Sequence, residues 1–180
     1  MKKKIIIMIF AILIIIPTFV TAAAQRSTYH VLTAWSVDDG KHMDWSGSIT
    51  YISNWNTAVN LWNSYKSGVI RKDTLFTVND VTISEGNTIP NNMAAITTQY
   101  GPGHSDESTV LFSKSIMSKL TDQQRSILCA HEIGHLLGLS DNTDNGTAVI
   151  MYPYADASTS NNVLHAQDKL NYDYMYNNKY

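Results

Sequence analysis

The stretch His131-Glu132-Ile133-Gly134-His135-Leu136-Leu137-Gly138-Leu139-Ser140-Asp141 leaves this chain fewer choices than any other part of it. Two histidines at i and i+4 stand one turn apart on one helix face, so both imidazoles can reach a single metal ion. Thr121-Asp122-Gln123-Gln124 forms a capping box that opens such a helix. The helix is predicted to run to about Leu137, where Gly138 ends it, with a positive φ. The reversed chain then brings Asp141 back as a third ligand, ahead of Asp144, His165 or a second water. Two histidines and a carboxylate leave a fourth tetrahedral position for water, the arrangement of a catalytic zinc site. Glu132 is rotated about 100° from His131, beside the metal, where a carboxylate can take a proton from metal-bound water. An ordinary amphipathic helix with incidental histidines leaves the spacing of Gly138 and Asp141 unexplained.

The rest of the chain sets the context. Lys2-Lys3-Lys4, the apolar run from Ile5 to Ile16 and Ala22-Ala23-Ala24 have the order of a secretory signal peptide, residues 1–24, cut after Ala24. The alternative, a permanent anchor, is disfavoured because the run to Val20 contains Pro17 and is short of the ~20 residues that span a bilayer. Membrane contact is therefore expected only before cleavage, and the mature protein is expected to be secreted and extracellular. Without the three leader lysines, 10 Lys and Arg face 15 Asp and Glu. That acidic balance, with no basic run, argues against nucleic acid as a partner. The 44% apolar content excludes wholesale disorder, and 180 residues suit one domain, taken as 25–180. Cys129 is the only cysteine, so no intramolecular disulfide holds the domain; its neighbours Ile127, Leu128 and Ala130 favour a buried thiol.

Coarse periodicity predicts the elements. Tyr29–Trp35 has strand composition, and Ser36–Gly47 reads as loop. Ile49, Ile52, Trp55, Val59, Trp62 and Tyr65 recur at steps of three and four, a helix with one apolar face, ended by Gly68. Thr74–Val78, Val81–Ser84, Ala94–Tyr100 and Thr109–Ser113 are β-rich runs, the last two separated by Gly101-Pro102-Gly103. Val163, Ala166, Leu170 and Tyr174 mark a final helix. The expected class is α+β.

HEIGHLLGLSD resembles the elongated zinc motif of the metzincin metalloendopeptidases, HExxHxxGxx(H/D), in the variant with Asp last that snapalysin-type secreted proteases carry. Ala58-Val59-Asn60-Leu61-Trp62 is similar to the first helix of snapalysins and matrixins. Val149-Ile150-Met151-Tyr152-Pro153 resembles the matrixin Met-turn, and Leu164–Leu170 the final matrixin helix. The resemblance implies a small twisted mixed β-sheet with a long active-site helix, a backing helix, a Met-turn with Met151 beneath the metal, and a C-terminal helix. It implies that Asp168 ties back to the Met-turn. It places an extended substrate along the edge strand, with Ala95, Ile96, Thr97, Pro153 and Tyr154 lining the cleft. Pro153-Tyr154-Ala155 departs from the Pro-x-Tyr that follows many matrixin Met-turns. No propeptide cysteine switch is available, and with only His104 in the relevant stretch a second, structural zinc is not expected. His30, His42, His104 and His165 are read as solvent-facing or bonded to neighbours.

The expected protein is a secreted, monomeric zinc endopeptidase with one catalytic ion, His131, His135 and Asp141 as ligands and Glu132 as general base. Its partner is a protein or peptide substrate. The alternative is a non-catalytic, zinc-stabilised secreted binding module of the same fold. Asp141–Gly146 is oxygen-rich but lacks the distal Glu of a calcium loop; calcium is left open and not predicted.

Overall fold

The computed structural model describes residues 29–87, 89, 93–100, 107–154 and 161–180. The leader, the Gly101–Gly103 turn, His104 and Ala155 lie outside the described residues. Five strands form one sheet: β1 (Met43–Gly47), β2 (Ile70–Lys72), β3 (Val81–Gly86), β4 (Ala95–Thr98) and β5 (Ser108–Ser113). Their order is β2-β1-β3-β5-β4, parallel except for β4, which runs antiparallel along β5 as an edge strand. The helices are α1 (Ile52–Asn63), the short α2 (Lys114–Met117), α3 (Asp122–Leu136) and α4 (Ala166–Asn178). This is the expected α+β class with a mixed sheet.

Helices α1 and α3 pack on each other through the face that α1's periodicity marks. Trp55 stands edge-on to Trp45 and Phe112 of the sheet. Trp62, fully buried, donates its indole N–H to the Ala130 carbonyl of α3 at 2.9 Å. The buried indole thus keeps a hydrogen-bond partner while its ring fills the core. Asn54 fixes the other end, donating to the Asp122 carbonyl and the Ser126 hydroxyl. The capping box of α3 forms in full: Thr121 Oγ1 accepts from Gln124 N, and Gln124 returns its side-chain oxygen to Thr121 N.

Several expectations are corrected. Tyr29–Trp35 is not a strand; it runs beside the carboxyl end of α3, where Leu32 N donates to Gly138 O and Val31 bridges Leu139. The first strand is instead Met43–Gly47, inside the stretch read as loop. It is buried at Met43, Asp44 and Trp45 in succession, because a parallel strand inside the sheet is covered on both faces. Arg71 neutralises the buried Asp44 with two bonds, at 2.9 and 2.6 Å. Thr74–Val78 is a turn, pinned by Thr77 Oγ1 on Asp73, that leaves Leu75 and Phe76 99% and 97% exposed. Helix α1 begins at Ile52 rather than Ile49 and ends at Asn63, with Gly68 in the turn beyond. In α4 the buried face is Asp168, Asn171, Tyr172 and Met175, while Val163, Ala166 and Leu170 are exposed. Counting apolar residues alone chose the wrong side of that helix.

Candidate metal centre and active site

The metal centre starts from how α3 stops. Leu139 N donates to Gly134 O at 2.9 Å and Gly138 N to His135 O at 2.7 Å, the paired bonds of a Schellman reversal. Gly138 has φ +80°, and a Cβ there would lie 2.4 Å from Met175 Cε. The positive φ is what calls for glycine, since the Met175 methyl is the movable end of its side chain. The reversed chain carries Asp141 back over the helix. Asp141 Oδ1 lies 3.2 Å from His131 Nε2 and 3.6 Å from His135 Nε2. One ligand atom from each of the three falls within 4.8 Å of the others.

The two imidazoles are held from behind. His131 Nδ1 meets the Ile150 carbonyl at 3.1 Å, and His135 Nδ1 meets the Leu139 carbonyl at 2.9 Å. A carbonyl only accepts, so each Nδ1 carries the proton and each Nε2 keeps its lone pair for a metal. Two imidazole nitrogens and a carboxylate oxygen converging from one side fit Zn²⁺. Without the ion, burial pushes His131 down, but the Asp141 hydrogen bond and the charges of Glu132 and Asp141 outweigh it and leave it raised. His135 is lowered, by burial first and then by His131. Burial would raise Asp141, yet its bond to His131 and the charges of both histidines hold it below the usual carboxylate range.

The turn that carries Ile150 is itself anchored. Asp168, fully buried in α4, accepts from Ile150 N at 3.0 Å, Met151 N at 3.4 Å and His165 N at 2.9 Å. Burial outweighs these donors and leaves its carboxyl raised. Met151 is fully buried with its sulfur against α3, and a Cβ on Gly134 would stand 2.2 Å from that sulfur. Gly134 lies between the two histidines, so its lack of a side chain lets the Met-turn lie flat on the helix.

Glu132 is 6% exposed, and its Oε2 accepts a 2.5 Å hydrogen bond from Thr97 Oγ1 on β4. One alternation further along, Gln99 Nε2 donates to the His135 carbonyl at 2.5 Å. Of the other cleft residues, Ala95 turns into the core, contrary to a side-chain role in the cleft, and Ile96 is half-buried. Pro153 and Tyr154 follow the Met-turn directly, with Tyr154 edge-on to Tyr152 at 5.7 Å. Among the described residues the remaining histidines lie outside the metal-ligating group. His30 sits 3.6 Å from Asp144, His42 lies 3.9 Å from Asp38, and His165 caps α4 through Gln167 N. Cys129 is buried, and burial pushes its thiol far up, aided by Glu132, so it is a poor nucleophile. Neither the Thr97–Glu132 pair nor the Gln99 contact has a local signal in the sequence.

A five-stranded mixed sheet, a helix bearing two metal-facing histidines and a buried methionine turn beneath it define a metzincin-type zinc metallopeptidase. The matrixin family model matches residues 49–177, and the chain belongs to that family. Among solved structures, the fold is similar to that of archaemetzincin from Methanopyrus kandleri. The two share 13% identity over 78% of this chain and 99% of that one, with a TM-score of 0.52. No curated protein matches the chain.

Proposed function

We propose that this matrixin is a secreted endopeptidase that hydrolyses extracellular proteins, with Glu132 as general base and one zinc held by His131, His135 and Asp141. The observation that carries the reading is the convergence of those three ligand atoms within 4.8 Å beside a buried carboxylate that is not among them. Zinc bound there supplies Lewis acidity, acidifying water and polarising the scissile carbonyl. Glu132 takes the proton of the attacking water and hands it to the leaving amine. His131 and His135 keep their lone pairs aimed inward because Ile150 O and Leu139 O hold their other nitrogens.

The open edge of β4 gives an extended peptide a place to pair. Ser113 N donates to Ala94 O, so alternation turns Ile96 and Thr98 toward β5 and the backbone groups of Ala95 and Thr97 toward the open edge. Secretion rests on the Lys2–Ala24 pattern, and the protein is taken to act as a monomer. No observation favours the non-catalytic binding module, since a purely structural zinc site tends to be closed by four protein ligands.

The test is Glu132→Gln. It should retain zinc and lose activity on a peptide by roughly 10²–10⁴-fold, with the mature wild type recovered from culture medium beginning at Gln25. A variant cleaving at near wild-type rate would remove Glu132 from the mechanism. Recovery only in the membrane fraction, with the leader attached, would refute secretion.

A further inference from the structure

Thr97 stands between the edge strand and Glu132, and its two halves face different ways. Its backbone N–H and C=O point to the open side of β4, where an added strand would bond. Its hydroxyl reaches inward and donates to Glu132 Oε2 at 2.5 Å. That bond anchors the buried carboxylate through Oε2, and among the described residues no hydrogen bond falls on Oε1. A glutamate side chain has three rotatable bonds, and nothing else described on its carboxylate fixes them. Gln99, just past the end of β4, donates to the His135 carbonyl, so the strand and the residue after it are tied to α3 about one helical turn apart. The register of the edge strand and the orientation of Glu132 are thereby set together.

We propose that Thr97 is a positioning residue for the general base: its hydroxyl holds Glu132 with Oε1 presented to the attacking water, and keys that orientation to the strand on which the substrate pairs. The proposal rests on Glu132 being the base. Hydrogen bonds to a charged group are among the stronger ones in proteins, so losing this one should be visible in turnover. Peptide binding uses the Thr97 backbone, which a side-chain change leaves in place.

The experiment compares Thr97→Val, which keeps the shape, with Thr97→Ser, which keeps the hydroxyl. Glu132→Gln is run alongside. Thr97→Val should lose kcat on the order of ten- to a hundredfold. Its KM and its zinc affinity by chelator competition should stay close to wild type, while the zinc-free form, with Glu132 left buried without this donor, should melt a few degrees lower. Thr97→Ser should recover most of kcat. Unimpaired kcat in Thr97→Val, a loss confined to KM, a fall in zinc affinity, or a Thr97→Ser as weak as Thr97→Val would each overturn the proposal. If Glu132→Gln is active, the base assignment fails and takes this role with it. If Glu132→Gln is inactive while Thr97→Val is unimpaired, only the role of Thr97 fails.

Discussion

Removing the Asp168 carboxylate should unsettle the metal centre from beneath without touching a ligand. In Asp168→Ala, Ile150 N and Met151 N lose their acceptor inside the protein, and α4 loses half of its capping box. A buried donor left unsatisfied costs about 1–3 kcal/mol. Ile150 N, at 3.0 Å, belongs near the middle of that range, and Met151 N, at 3.4 Å, near the bottom. The cap adds about 1 kcal/mol. Against these, the variant no longer buries a charge, and the raised Asp168 carboxyl indicates that this relief is real. The net loss should be roughly 3 kcal/mol, a large share of the 5–15 kcal/mol of an ordinary domain. At about 2–4 °C per kcal/mol for a domain of this size, the midpoint should fall by roughly 6–12 °C. Zinc-free wild type and variant, melted side by side by circular dichroism near neutral pH, give the number directly. Zinc affinity should fall as well, on the order of tenfold, because Ile150 O is what orients His131. A variant within about 0.5 kcal/mol of wild type, with zinc affinity intact, would mean that water satisfies these amides and that the tie is dispensable.

Two further outcomes follow from the same geometry. Asp141→Ala should lose at least about a hundredfold in zinc affinity, together with activity, while Asp144→Ala, whose carboxylate is 76% exposed beside His30, should keep both; metal content per protein in the two variants decides it. Asp80 is pushed up to about 6, by burial first and by Asp38 and Asp44, against a hydrogen bond from Asp44 N and the charge of Arg71. A folded-state pKa above the unfolded one means that this group's favourable contribution is present below the unfolded value and is lost as pH rises to about 6. Discounted for its half-exposed position, that loss is about 1 kcal/mol. Asp80→Asn should therefore gain about 1 kcal/mol on wild type between about pH 4 and pH 7 in urea unfolding, and a gap independent of pH would refute the assignment.

What the sequence made legible was local. The start of α3 is written in Thr121 and Gln124, its end in Gly138, and its two histidines share a face because the period of a helix puts them there. Trp55 and Trp62 marked the inner face of α1 for the same reason. Strand β1 was not legible, because Asp44 looks like a loop residue until Arg71, 27 positions away, neutralises it. The residues of Tyr29–Trp35 suit a strand, yet tertiary contacts override that propensity. The inner face of α4 was misread because Asp168 and Asn171 are buried polar groups. Their burial is supported by bonds to Ile150, Met151 and His30 elsewhere in the chain. The Thr97–Glu132 contact, across 35 positions, is equally invisible to any local pattern.

The misreading of Tyr29–Trp35 goes back to the carbonyls that α3 leaves unpaired at its carboxyl end. Gly134 O is taken by Leu139 N, and His135 O by Gly138 N and Gln99 Nε2. Leu136 O accepts from Ser36 N, Leu137 O from the Tyr180 hydroxyl, and Gly138 O from Leu32 N. The amino-terminal stretch, the last turn of the chain and the end of the edge strand therefore meet at the same few ångströms of helix. That is the end which holds His135 and launches the loop to Asp141. A domain with one buried cysteine has no disulfide with which to fix such a junction, and hydrogen bonds between distant segments do it instead. The Tyr29–Trp35 segment is extended because it lies along a helix end, not because it joins a sheet. The ties that aim His131 and His135 are likewise bonds from protein to protein. The ligand set is thus oriented by the fold itself, and a metal arriving there meets imidazoles already turned toward it.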